Sequence, residues 1–245
     1  MPIDIASLER ATLAAVPPQQ VQELPGWLLA LDDGTVGRAH SAVPLRHAAL
    51  PAEVLDTIAA RYREHGLAPM FRIPRAAGLQ GLHDGLVQRG FVPRKPTLTQ
   101  VGEVAGLLAL ATPAPVELAT RPDASWAAVF LGEGFDPVDG ASRLGLLRRA
   151  QDSVFASVRV DGQLVAVGSG CYAEGWCGIH GMRTLPGWRG RGLAAAILAA
   201  LGRQARERGI ARCFLQVQQD NAGAQKLYAR AGLATAWCYD YWERA

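Results

Sequence analysis

Two glycines and two arginines alternate in Leu185-Pro186-Gly187-Trp188-Arg189-Gly190-Arg191-Gly192-Leu193-Ala194, and an apolar run follows to residue 201. Glycine adopts positive φ without steric cost and lets a ligand come close to the main chain. The first N–H groups of a helix have no internal partner, and the helix dipole is positive at that end. A glycine turn that opens a helix is therefore a site for a phosphate group, and Arg189 and Arg191 can add charge-assisted contacts. Other residues able to move protons lie on either side: Glu133, Glu174 and His180 upstream, Tyr228 and Asp240 downstream. The four cysteines, Cys171, Cys177, Cys213 and Cys238, form no C-x-x-C pair and no metal-type spacing, so no metal centre is expected and reduced, packed thiols are.

Such a turn works only if a strand delivers it and a helix follows. Periodicity predicts a strand over 176–185 and a helix over 191–208, with Leu193, Ile197, Leu198 and Leu201 on one face and Gly209 as the stop. Around this pair, strands are expected over 116–120, 153–160, 164–172, 211–217 and 234–242, and helices over 125–132, 142–149 and 221–231. Asp161-Gly162 reads as a hairpin turn and 134–140 as a loop. In the first part of the chain, helices are expected over 5–15, 51–65 and 79–89, with Gly66 and Gly90 closing the last two. Strands are expected over 27–31, 35–43, 69–74, 91–92 and 97–104, with Asp32-Asp33-Gly34 as a hairpin turn. Residues 107–115, with Pro113 and Pro115, read as the crossing between two halves, 1–112 and 113–245.

The halves repeat. Residues 63–71 lie on residues 206–214 at an offset of 143, with five of nine positions identical, among them Gly66 on Gly209 and Phe71 on Phe214. The same offset sets Leu50, Val54, Leu55 and Ile58 on Leu193, Ile197, Leu198 and Leu201, so the buried helix face is kept. The glycines are not kept: Gly190 and Gly192 are met by His47 and Ala49, and Arg189 by Arg46. After a one-residue gap Gly90 meets Gly232 and Leu86 meets Tyr228. The pattern implies a duplication with one working half, 113–245, and one degenerate half, 1–112, that is structural or lies on the acceptor side.

From residue 116 onward, the order of elements resembles a domain of the GNAT (GCN5-related N-acetyltransferase) superfamily. The resemblance is strongest in Arg189-x-x-Gly192-x-Ala194 and in Asn221 followed by Leu227-Tyr228-x-x-x-Gly232-Leu233. It implies an α/β fold, a mixed sheet with flanking helices, as two GNAT-like halves in tandem. It also implies an acyl-CoA-dependent N-acyltransferase, with acetyl-CoA as the default co-substrate and direct transfer to a primary amine in a ternary complex. On this resemblance Gly190, Arg191, Gly192, Leu193 and Ala194 offer main-chain N–H groups to the pyrophosphate, with Arg189 beside them. Met182 and Thr184 meet the pantetheine arm, and one N–H there polarises the thioester carbonyl. Asn221 reads equally as a helix cap and as a contact to that arm. Tyr228 stands at the family's general-acid position, and a phenol of pKa about 10 can donate to a leaving thiolate of pKa about 8.5.

The base is left open. His180 is the first candidate, because strict alternation puts it on the same side as Met182; Glu174, Glu133, Asp240 and a water chain are the others. Trp126, Phe130 and Phe135 are candidates for an apolar acceptor wall. Trp237, Tyr239 and Tyr241 share one face of the last strand, as a seam with the first half or as acceptor lining, the seam being preferred.

Composition narrows the partners. The 245 residues are 49% hydrophobic, enough for a sizeable core, and the net charge of +3 is too mild to demand nucleic acid. Neither a Rossmann fingerprint nor a Walker A loop is present. The apolar run 193–201 is about half a membrane span. The start, Met1-Pro2-Ile3-Asp4, lacks a signal-peptide pattern, so a cytoplasmic protein is expected, with no membrane partner. The expected acceptor is an amine on a small molecule, peptide or protein, and a homodimer is compatible with the sequence. The alternative reading is a non-catalytic acyl-CoA-binding or interaction protein.

Overall fold

The computed structural model describes residues 3–110, 114–133 and 135–244. Met1, Pro2, Gly134 of the expected loop, and the expected boundary between 112 and 113 lie outside the described residues. Eleven strands are described: β1 (Gln20–Leu24), β2 (Trp27–Leu31), β3 (Ala42–Pro44), β4 (Phe71–Pro74), β5 (Phe91–Glu103), β6 (Glu117–Ala119), β7 (Ser153–Val160), β8 (Gln163–Ala173), β9 (Trp176–Thr184), β10 (Arg212–Gln218) and β11 (Ala234–Arg244). The helices are α1 (Ile5–Ala15), α2 (Val54–Glu64), α3 (Gln80–Gln88), α4 (Val104–Leu108), α5 (Ala124–Leu131), α6 (Pro137–Arg149), α7 (Leu193–Glu207) and α8 (Ala222–Arg230). Among the described residues no helix is long and apolar enough to cross a membrane.

All strands join one sheet, in the order β1-β2-β3-β4-β11-β5-β10-β9-β8-β7-β6. The order is nearly palindromic. On one flank β1, β2 and β3 are antiparallel neighbours and β3 runs parallel to β4; on the other, β7, β8 and β9 repeat this and β9 runs parallel to β10. At the centre the halves exchange strands. β11 lies between β4 and β5, and β5 lies between β11 and β10, all antiparallel. The repeat in the sequence is thus a pseudo-twofold in the fold, with α2 and α3 matching α7 and α8.

The helices cover both faces. α7 buries Ile197, Leu198 and Leu201 against Val165, Cys177, Ile179 and Leu215, and α8 adds Tyr228. α2 and α3 bury Leu55, Ile58, Leu82 and Leu86 against Trp27, Phe71, Ile73 and Trp242. A buried Leu or Ile contributes about 1.5–3 kcal/mol, so these apolar stripes are what hold the helices to the sheet. On the opposite face α1 lies across the junction, setting Leu8 and Ala11 on Trp176, Phe214, Trp237 and Tyr239. The last strand's aromatic face is therefore the seam, as preferred from the sequence. α5 covers the far flank of that face with Trp126, which stacks on Phe130 and donates its indole N–H to the Ala156 carbonyl.

Local signals explain most elements. The turns Asp161-Gly162 and Glu174-Gly175 have both residues at positive φ, the twist a tight hairpin needs. β2 and β3 pair antiparallel as a hairpin, but the expected tight turn at Asp32-Asp33-Gly34 does not form. Asp32 instead accepts from the Gly34 and Gln19 N–H groups and from Arg149 of α6. Gly37–His40, within the strand expected over 35–43, forms a 3₁₀ turn, because side-chain bonds to main chain compete with strand pairing; His40 bonds the Asp32 and Ala68 carbonyls. β1 was not foreseen, since its residues Gln20, Gln22 and Glu23 are polar and its edge is exposed. β5 is one strand where two were expected, and a bulge at Lys95, with φ of 51°, absorbs Pro96. α6 starts at Pro137 and not at 142, with Asp136 accepting from the Asp139 N–H as its cap.

Candidate active site

β9 and β10 pair only from Trp176/Arg212 to Ile179/Leu215 and then part. The cause lies in β9. Gly181 has φ of 61°, and the β8 register jumps between Ser169/His180 and Val167/Arg183, so Gly181 and Met182 together face Gly168. This is a bulge with glycine in the left-handed position, which bends the strand and frees its edge. It also corrects the expectation that His180 and Met182 face the same side. The extra residue inverts the alternation: His180 lies on the α1 face against Phe214, while Met182 packs on the α7 cluster.

A cavity of about 310 Å³ fills the splay. Its walls are 179–183 of β9, Gln216–Gln218 of β10, Asn221, Tyr228, and Phe130, Phe135 and Arg143 from the α5–α6 side. Of the expected apolar wall, Phe130 and Phe135 are in place and Trp126 stands behind Phe130.

Next to the cavity, the chain leaves β9 through a 3₁₀ turn over Pro186–Trp188 and enters α7. Gly190 and Gly192 both have φ of 77°, and Gly192 is the helix cap with no side-chain bond to the first turn. The N–H groups of Leu193 and Ala194 therefore open α7 without helical partners. A side-chain carbon at either glycine would meet nothing within 4 Å, so left-handed backbone demands glycine here and open space lies over the loop. Leu193 anchors the helix start in the core. Arg189 donates to the Thr184 carbonyl at 3.3 Å, and Arg191 stacks on Trp188 at 4.6 Å. Among the described residues neither pairs with a carboxylate.

The first half closes the equivalent cleft. Gly78, one residue before the position that matches Asn221, comes so near that a side-chain carbon on it would lie 2.7 Å from the His47 carbonyl oxygen. The His47 ring packs edge-on to Trp237 at 4.8 Å, and burial lowers its pKa to about 4.

Asn221 caps α8, accepting from the Ala224 N–H at 3.1 Å, and also lines the cavity. Tyr228, about two helical turns further, lines it too. The hydroxyls of Tyr62 and Tyr172 donate to main-chain carbonyls, and Tyr239 and Tyr241 bond each other. Among the described residues the Tyr228 hydroxyl has no partner. Burial pushes its pKa up to about 12, so it stays protonated.

The expected bases are differently placed. Glu174 sits in the β8–β9 turn, eight residues and about 26 Å along the strand from Met182. Asp240 is held by Arg75 at 2.6 and 2.7 Å, and Glu133 is exposed and off the cavity wall. His180 lines the cavity, but its Nδ1 accepts from Arg38 at 3.0 Å, which requires the proton on Nε2. Burial first, and Arg38 second, hold its pKa well below the usual value. Arg38 also donates to Gln216 Oε1, and Gln216 donates to Thr12 of α1. Sequence reasoning missed Arg38 and Gln216. Arg38 is 142 positions from His180, and no local pattern joins them.

Residues 3–242 match the family described as "Probable histone acetyltransferase Rv0428c C-terminal". The chain belongs to this acetyltransferase family, and with it to the GNAT superfamily. A curated relative, the uncharacterized N-acetyltransferase YobR of Bacillus subtilis (strain 168), is 24% identical over 241 residues, covering 94% of this chain and 95% of that protein. A GCN5-related N-acetyltransferase from Kribbella flavida has the same fold, with a TM-score of 0.72 at 22% identity, covering 99% of this chain and 96% of that one. A tandem GNAT protein from the clavulanic acid biosynthesis pathway aligns with a TM-score of 0.58 at 13% identity, over 97% of this chain and 94% of that one. The protein is a GNAT-type N-acetyltransferase, and its fold is that of two GNAT-like halves in tandem. The strand splay and Tyr228 line one cavity of this fold.

Proposed function

We propose that this GNAT protein transfers an acetyl group from acetyl-CoA to a primary amine by direct attack in a ternary complex. The working site belongs to residues 113–245, and residues 1–112 serve as a structural partner. One observation carries the reading: the tyrosine hydroxyl left without a partner opens into the strand splay beside a helix whose first N–H groups are free.

The residues fit an acyl-CoA. Gly190, Arg191, Gly192, Leu193 and Ala194 offer N–H groups to phosphate, flanked by the Arg189 and Arg191 cations. Met182 and Thr184, on the stretch of β9 that β10 leaves unpaired, meet the cofactor arm, and an N–H there polarises the carbonyl. Asn221 closes the arm's other side. Bound there, acetyl-CoA supplies an electrophilic thioester carbonyl and a thiolate leaving group. Tyr228 gives its proton to the departing sulfur as the amine nitrogen bonds to the carbonyl carbon, and regains one from the acceptor through water. His180 takes no part as base, because its free lone pair is already committed to Arg38. Direct attack is supported by the cysteines: Cys171, Cys177 and Cys213 are buried, burial raises their pKa values, and no cysteine lines the cavity.

The test is thermal. A hundredfold excess of acetyl-CoA over its Kd should raise Tm by about 5–10 °C. Gly192→Val, forced into left-handed backbone and placing a side chain over the loop, should abolish the shift. No shift in the unaltered protein would overturn the reading.

A further inference from the structure

The acceptor side of the cavity carries cations that the reaction above does not use. Arg143 of α6 and Arg183 of β9 both line it, and their guanidinium carbons lie 5.5 and 5.9 Å from the centre of the Phe135 ring. Among the described residues no Asp or Glu lines the cavity. Arg143 is half neutralised, its Nε meeting both Asp139 oxygens at 3.0 Å, and its two terminal nitrogens are uncommitted. Arg183 donates Nη1 to the Leu131 carbonyl at 2.8 Å, and among the described residues it has no carboxylate partner. Burial lowers the Arg183 pKa, and Arg189 and Arg143 lower it further.

Arg183 is exposed and the Arg143 side chain is 38% exposed, yet two like charges beside one ring repel, and an anion between them relieves that repulsion. A negative charge on what the cavity holds supplies that relief. The phosphates of acyl-CoA do not supply it at Arg143, because α6 lies on the sheet face opposite α7 and its glycine loop. Resting on the acetyl-transfer reading, we infer that the acceptor is a small primary amine carrying a carboxylate, gripped by Arg143 and Arg183 against Phe135. Two guanidinium forks match a carboxylate in geometry as well as charge. The cavity volume is at the low end for ligand sites, which suits an amino-acid-sized molecule. A basic peptide or polyamine would bring its cations to a wall with two arginines and no acid.

The experiment compares L-amino acids with their carboxamides and with spermidine, following thiol release from acetyl-CoA. Calorimetric titration of the same compounds reads binding without turnover. The acids should be preferred over their amides by at least about tenfold in kcat/KM or in Kd. Arg143→Gln with Arg183→Gln should erase that preference and leave the acetyl-CoA-induced rise in Tm intact, which also reports folding. Arg183→Lys, keeping charge and losing the fork, should fall between. Equal or better use of amides or spermidine, binding of no acid in the panel, or loss of the acetyl-CoA shift in the double variant each overturns the inference. Failure of the acetyl-transfer reading is separately visible, as no acetyl-CoA shift in the unaltered protein.

Discussion

Tyr228 differs from the other four tyrosines in having, among the described residues, no partner for its hydroxyl. Burial of the ring raises its pKa to about 12, so the phenol remains a donor across the whole neutral and mildly alkaline range. General acids contribute about 10²–10⁴ to a rate. Tyr228→Phe should therefore lower kcat roughly 100-fold with the acetyl-CoA-induced Tm rise unchanged. In the unaltered enzyme kcat should show no alkaline loss from this group between pH 8 and 10. An unchanged kcat in the variant, measured by thiol release, would remove the acid role. The position of the residue was legible in the sequence through the family resemblance, counted from Asn221 and Gly232, and the acid role remains the proposal that this variant tests. The role assigned to His180 was not. Its reading assumed strict alternation, and one glycine at positive φ reversed the side it faces.

At the level of elements, the two copies of the strand–loop–helix unit diverge. In the second, β9 and β10 splay and the loop is open; in the first, the segment over Ala77–Leu79 closes on His47 and Ala48. His47 is part of that closure, and its lowered pKa makes it a stability marker. Its folded pKa of about 4 lies below the unfolded value of about 6.5, so below pH 6.5 the unfolded chain binds more protons. Stability should then fall as pH drops from about 6.5 toward 4, and His180 adds with the same sign. His47→Gln should flatten the Tm-against-pH curve in that window. A curve identical to that of the unaltered protein would show that His47 is not the group that titrates. The loss of both glycines was readable in the repeat, but the closure was not. It depends on Gly78, which meets His47 only after α2 has folded back.

At the level of the whole molecule, the halves are not separable beads. β5 completes the second half's sheet beside β10, and β11 completes the first half's beside β4. α1 bridges the junction through the fully buried Glu9–Arg72 pair and a cation–π contact of Arg72 with Tyr239 at 5.2 Å. Each half expressed alone would leave a central strand edge bare, an invitation to aggregation. Heat or urea should therefore unfold the chain in one transition, with calorimetric and van't Hoff enthalpies equal. Fragments 1–112 and 113–245 should be insoluble separately and recover acetyl-CoA binding only when co-expressed. Two resolved transitions, or a soluble, cofactor-binding 113–245 fragment, would contradict this.

By itself the sequence determined what local physics controls. The αL glycines at 190 and 192, the apolar stripe of α7, the cap at Asn221, Tyr228 and the 143-residue repeat all follow from spacing along the chain. Tertiary structure decided what depends on residues meeting from afar: the exchange of β5 and β11, the His180–Arg38–Gln216–Thr12 chain, and the Arg143–Phe135–Arg183 layer. The reason is the range of the forces. Backbone conformation and helical periodicity act over a few residues and leave a pattern there. Strand pairing and charge neutralisation act between groups tens to hundreds of positions apart, and they leave no local trace until the chain has folded.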